Sequence, residues 1–146
     1  MNERFDLERF VTAQNPEWEG ICSELRQGCK RSHWMWFVFP QLRGLGRSST
    51  AVFFGISSDA EAEAYLGHPV LGQRLLLETT QLINSIEGRS IEAILGSVDS
   101  IKLRSSMTLF HTVSQNQAIF GRALDKYFGG IPDELTLGIL GETKGS

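Results

Sequence analysis

Helix starts and stops recur along this chain, and no segment alternates apolar and polar residues between hairpin turns. Asp6 is placed to cap a short helix that turns Leu7, Phe10 and Val11 inward. Asn15-Pro16 reads as a cap followed by proline at the first helical position. Trp18, Ile21, Cys22 and Leu25 then form one apolar stripe, which Gly28 ends. Ser58-Asp59-Ala60-Glu61 is a capping box, Gly67 closes its helix, and His68-Pro69 restarts the chain. Leu71, Leu75, Leu82 and Ile86 fall within about 60° of one another, predicting a long helix that stops near Gly88. Ser90 caps a short segment from Ile91 to Leu95, and Asp99 caps a helix from about Ser100 to Ser114. Asn116 caps another helix carrying Phe120, Leu124 and Phe128, which Gly129-Gly130 stops. Pro132-Asp133 begins a last short helix with Leu135 and Leu137 to Leu140. The expectation is an all-α, multihelical domain of the orthogonal-bundle kind, spanning residues 1–146 as a single unit.

One stretch resists this reading. Ser32 to Pro40 is a nearly continuous apolar run, where periodicity cannot separate helix from strand. Ser32 as a cap and Pro40 as a stop favour a short helix, and no partner strand is visible.

Composition removes several classes. Of 146 residues, 41% are hydrophobic and 21% charged, which excludes a disordered chain. No apolar run approaches the length of a membrane span, and the charged N-terminus lacks a signal-peptide core. Cys22 and Cys29 alone make neither a disulfide framework nor a zinc site. A cytoplasmic protein without membrane contact is expected, and neither a metal nor a cofactor is called for.

The charge is unevenly placed. The net charge of −3 argues against nucleic acid as a partner. Yet no acidic residue lies between Glu24 and Asp59, or between Asp99 and Asp125. Those two intervals hold eight of the 14 lysines and arginines. If they meet in space they form a surface that concentrates anions. The plainer alternative is two hydrophobic stretches flanked by solvated cations.

The residues from Lys30 to Gln41 combine two tryptophans, two phenylalanines, a methionine, two cations and a histidine. Aromatic faces beside cations can stack a planar ring and hold an anion. The competing account is a core segment with cations at its edge, which suits Phe37, Val38 and Phe39 best. Gly44-Leu45-Gly46, between Arg43 and Arg47, reads as a basic loop or a plain flexible turn. In the later helix, Lys102 falls within about 20° of Leu109 and Val113, with Ser106 about 40° away. Arg104, Thr108 and His111 face the other way. A lysine on an apolar arc, in the first turn where the macrodipole opposes it, either lines a cleft or snorkels past the helix end. Among carboxylates, Asp99 adjoins Lys102, and Glu78 lies about 20° from Leu71 on the long helix's apolar stripe.

The segment Lys30-Arg31-Ser32-His33-Trp34-Met35-Trp36-Phe37-Val38-Phe39-Pro40-Gln41 resembles the hallmark of the domain-of-unknown-function 1810 family of small bacterial proteins. Ile56-Ser57-Ser58 with Ala64-Tyr65-Leu66 and His68-Pro69 resembles its second block, and Lys102 with Ser105 to Phe110 its third. The resemblance implies an all-helical domain and no established activity. Some members carry the label "calpastatin", but inhibitors of that type are disordered, which this aromatic-rich chain is not. A remoter similarity, to NADAR-type N-glycosidases, implies a hydrolase acting on a ribosylated substrate.

Two functional expectations follow. In the first, a cleft binds an anionic nucleotide, sugar phosphate or ADP-ribose-like molecule. Lys30, Arg31, His33, Trp34, Trp36, Gln41, Lys102 and Ser106 hold the ligand, and Glu78 or Asp99 supplies acid–base chemistry if an N-glycosidic bond is cleaved. In the second, Trp34 to Phe39 is an interaction surface that docks a partner or a second copy of the chain in a homodimer.

Overall fold

The structure, a computed structural model, describes residues 5–114 and 117–145. The expected cap Asn116 lies outside the described residues. Helix α1 spans Glu8–Gln14, and its N-cap position belongs to Leu7, with no side-chain cap. Asp6 instead takes a left-handed turn at φ 47°, so it bends the chain rather than capping it. Arg9 performs the anchoring. Its guanidinium donates to the carbonyls of Phe5, Asp6, Phe53 and Gly55 and pairs with the buried Glu61 at 2.9 Å. Pro16 opens a 3-10 turn, Asn15–Glu17, rather than the following helix itself. Helix α2 (Trp18–Gln27) buries Ile21, Cys22 and Leu25 and ends at Gly28, whose φ of 71° suits glycine.

The ambiguous aromatic run is helical for one turn, α3 (Met35–Val38). After it, an isolated parallel bridge joins Leu42 to Ile56, and no strand forms among the described residues. Helix α4 (Ser49–Phe54) is capped by the Ser48 hydroxyl. Helix α5 (Asp59–Gly67) is capped by Ser58, which accepts from the Glu61 N–H. The reciprocal bond reaches one residue further back, from the Ser57 N–H to the Glu61 carboxylate.

The long helix differs from its expected phase. It runs through α6 (Leu71–Gln73), a π-helical segment (Arg74–Thr79) and α7 (Thr80–Asn84). The wider π turn shifts the inward face to Leu71, Leu75, Thr79, Thr80 and Ile83. Leu82 and Ile86, predicted inside, are only half-buried.

Helix α8 (Ile91–Leu95) begins at the Ser90 cap as predicted. Helix α9 (Ser97–Val113) begins earlier than predicted, with Gly96 at its N-cap. Asp99 therefore sits inside the first turn and is no cap, and Lys102 falls in the second turn, where the macrodipole opposes it less. Helices α5, α8, α10 (Ile119–Phe128) and α11 (Glu134–Gly145) all pack on α9. This explains why Thr108, expected outside, is buried: its hydroxyl accepts from the Asp133 N–H at 2.9 Å. Asp133 in turn caps α11 by accepting from the Thr136 N–H. On α11 it is Thr136 and Leu140 that face inward, while Leu135 and Leu137 are exposed.

The fold is all-α. One hydrophobic cluster links its helices, with aromatic contacts from Phe10 to Tyr65, Tyr65 to Phe110 and Phe110 to Phe120 at 5.1, 5.5 and 5.7 Å. No described helix is long and apolar enough to cross a membrane.

Candidate functional site

The aromatic run is held in place by one carboxylate. Glu24, on α2, accepts from the backbone N–H groups of Arg31 and Ser32, the Ser32 hydroxyl and the Trp34 indole N–H. Partial burial pushes the Glu24 carboxyl up, but these donors together outweigh it and hold the group at about 2. The Lys30 N–H also donates to the Ile94 carbonyl at 2.8 Å, which ties the segment to α8. Trp34 is thereby sealed into the core, with no surface left for stacking a ligand. Two residues on, Trp36 is half-buried and sits at the edge of the cluster.

The two acid-free intervals meet here. Lys30 Nζ lies 2.9 Å from one oxygen of Asp99, and Lys102 Nζ lies 3.7 Å from the other. Each ammonium also sits over an indole: Lys30 over Trp34 at 5.0 Å, and Lys102 over Trp36 at 4.9 Å. The Lys30 side chain is 8% exposed and the Lys102 side chain 25%. One carboxylate thus serves two cations, and it engages the more buried one at close range. A positive charge is left over on the side where Lys102 reaches water.

Lys102 and Trp36 line two adjoining hollows. The inner crevice, about 10 Å³, is bounded by Met35, Phe39, Phe54 and Gly55 as well. That is room for about one water molecule. The outer cleft, about 410 Å³, is walled by Gln41, Arg47 and Ser48 on one side and by Ile101, Ser105 and Asp133 on the other. Its volume lies in the range of small-molecule sites. The loop forming the first wall is closely packed. A Cβ on Gly46 would lie 2.7 Å from the Ala51 Cβ, and one on Gly55 would lie 2.8 Å from the Arg43 Cα. Gly46 is therefore required by close approach, not only by chain flexibility.

Of the residues expected in a site, the structure brings Trp36, Gln41 and Lys102 together on the cleft wall, with Lys30 and Asp99 directly behind Lys102. The others lie elsewhere. Arg31 is exposed and donates to Gln27. His33 is exposed and borders neither hollow. Ser106 is fully buried, and its hydroxyl has no hydrogen-bond partner among the described residues. Glu78 accepts from the Trp18 indole at 3.2 Å, on the face of the long helix that meets α2. The π turn rotates it there, away from the cleft. Asp133, Ser48 and Ser105 were not anticipated at the site. Only the cap spacing before α11 could have drawn attention to Asp133.

The comparisons with known proteins agree with this fold. The family model described as "Protein of unknown function (DUF1810)" matches residues 4–140, so the chain belongs to the DUF1810 family. Its structure is similar to the crystal structure of the conserved hypothetical protein Rv1873 from Mycobacterium tuberculosis. The two share 55% identity with a TM-score of 0.92, over 94% of this chain and 97% of that one. No curated protein matches the chain. The remoter likeness to NADAR-type enzymes finds no support in these matches.

Proposed function

We propose that this protein binds a small anionic molecule in the cleft between the aromatic turn and α9. Lys102 supplies the countercharge and Trp36 the surface on which a planar or apolar part of the ligand rests. The observation that carries the reading is the shared carboxylate: Asp99 binds Lys30 at 2.9 Å and leaves Lys102, at 3.7 Å, positive toward the cleft. Nucleotides and ADP-ribose-like molecules are candidates because they pair a ring with a negative charge.

The geometry favours binding over cleavage of an N-glycosidic bond. Such cleavage needs a carboxylate able to face a cationic sugar. Both oxygens of Asp99 are engaged by lysines, and Asp133 Oδ2 accepts from Ser105, the Thr136 N–H and the Thr136 hydroxyl. The interaction-surface reading is weakened because Trp34, Met35, Phe37, Val38 and Phe39 are all buried.

Calorimetric titration with ADP-ribose, mononucleotides and simple organic anions tests the reading. Binding of at least one should weaken tenfold or more in Lys102→Gln while the melting temperature stays within a few degrees. Unchanged affinity in that variant would refute it.

A further inference from the structure

The cleft is amphipathic, and its two halves differ in kind. The half-buried Lys102 and Gln41 stand beside Trp36, with the exposed Arg47 at the rim. Toward solvent stand Val98, Ile101 and Leu135, which are 66%, 66% and 70% exposed. These apolar side chains share the border of one cleft with the charged ones, although they come from two helices, α9 and α11. Exposed large apolar groups gathered at the mouth of a hollow mark a place where an apolar body is taken out of water.

Polar chemistry for a sugar is scarce at the same place. The Ser48 hydroxyl already accepts from the Ala51 N–H. The Ser105 hydroxyl is engaged with the Ile101 carbonyl and Asp133. Asp133 is occupied as the cap of α11. A ribose would lose water from several hydroxyls and find, besides the cations, only the Gln41 amide and the Ser48 hydroxyl proton in return. The formal charges also match a single negative charge. Lys30, Lys102 and Arg47 oppose Asp99 and Asp133, leaving one net positive charge, which suits a carboxylate better than a pyrophosphate.

We infer that the ligand is an amphipathic monoanion: a carboxylate on an acyl or aryl body, its head at Lys102 and its body along Trp36, Ile101, Val98 and Leu135. This rests on the anion-binding reading of the cleft and narrows it from nucleotides to organic acids.

The test is calorimetric titration of the full chain with butanoate, hexanoate and octanoate, with hexanol as the neutral control and ribose 5-phosphate and ADP-ribose as polar competitors. Affinity should rise with each added methylene, approaching threefold to fourfold where the methylene is fully buried, since that burial contributes about 0.8 kcal/mol. Hexanol should bind at least tenfold more weakly than hexanoate. Val98→Ser combined with Ile101→Ser alters only exposed positions. It should flatten the dependence on chain length, weakening octanoate several-fold more than butanoate.

Anion binding that needs Lys102 but ignores chain length, or that favours the sugar phosphates, overturns this inference and leaves the broader reading standing. Hexanoate affinity that is unchanged in Lys102→Gln overturns the broader reading and the inference with it. So does the absence of binding by every compound in the series.

Discussion

Lys30 Nζ and Asp99 Oδ2 meet at 2.9 Å with both side chains largely out of water, joining the segment after α2 to the first turn of α9. Removing Lys30 leaves the partly buried Asp99 with only the longer 3.7 Å contact to Lys102. Lys30→Met should therefore cost about 3 kcal/mol in urea denaturation. Lys102→Gln, at the more exposed end of the same triad, should cost no more than about 1 kcal/mol. Equal losses would mean that Lys102 is held for stability and not for a ligand.

Glu24 makes stability depend on acid. Its folded value of about 2 lies below the ordinary 4.5, so the folded state favours the ionised form. The contribution is fully present above pH 4.5 and is lost as the pH falls toward 2. The urea midpoint of the native chain should decline across that window. Glu24→Gln should be less stable by about 1–3 kcal/mol at neutral pH, and its midpoint should decline less with acid. Parallel acid limbs for the two proteins would exclude Glu24 as the source.

Two glycines inside helices should respond in opposite directions to the same substitution. A Cβ on Gly72 would lie 2.0 Å from the Leu66 carbonyl oxygen and 2.8 Å from its carbon, and backbone atoms cannot step aside. Gly72→Ala should destabilise by about 2–4 kcal/mol. Gly20, on α2, has nothing within 4 Å of the same position. Gly20→Ala should stabilise by about 0.5–1 kcal/mol through helix propensity alone. Thermal melts of the two variants decide both.

Ser106 carries a buried hydroxyl with no partner among the described residues. Replacing it with alanine removes an unsatisfied group without opening a large void. Ser106→Ala should be neutral or stabilise by up to about 1 kcal/mol, with anion binding unchanged. A clear loss of stability would show that the hydroxyl is satisfied after all.

The caps at Ser58 and Ser90 and the glycine stops at Gly28 and Gly129 were legible because they depend on bonds within one turn. Phase was legible only where the helix kept its ordinary pitch. The π turn at Arg74–Thr79 moved Leu82 out of the core and sent Glu78 to Trp18, and a count at 100° per residue cannot see it. Thr108 was misplaced for another reason: what covers it is α11, and periodicity within α9 carries no information about neighbours. The separation of Trp34 from Trp36 was equally hidden. A single helical turn has no repeat, and the bond from Trp34 to Glu24 that decides the matter spans two elements.

The π turn also constrains how this chain can change in length. Removing one residue from 74–79 would restore ordinary helical pairing, but it would swing everything after it by about 100°. Ile83 would leave the interior, and the Ile83 and Asn84 carbonyls would turn away from the Tyr127 hydroxyl and the Lys126 ammonium that now reach them at 2.6 and 2.7 Å. The surplus residue is therefore a spacer that sets the docking angle of α10, and a deletion there would have to be matched by an insertion before Ile83.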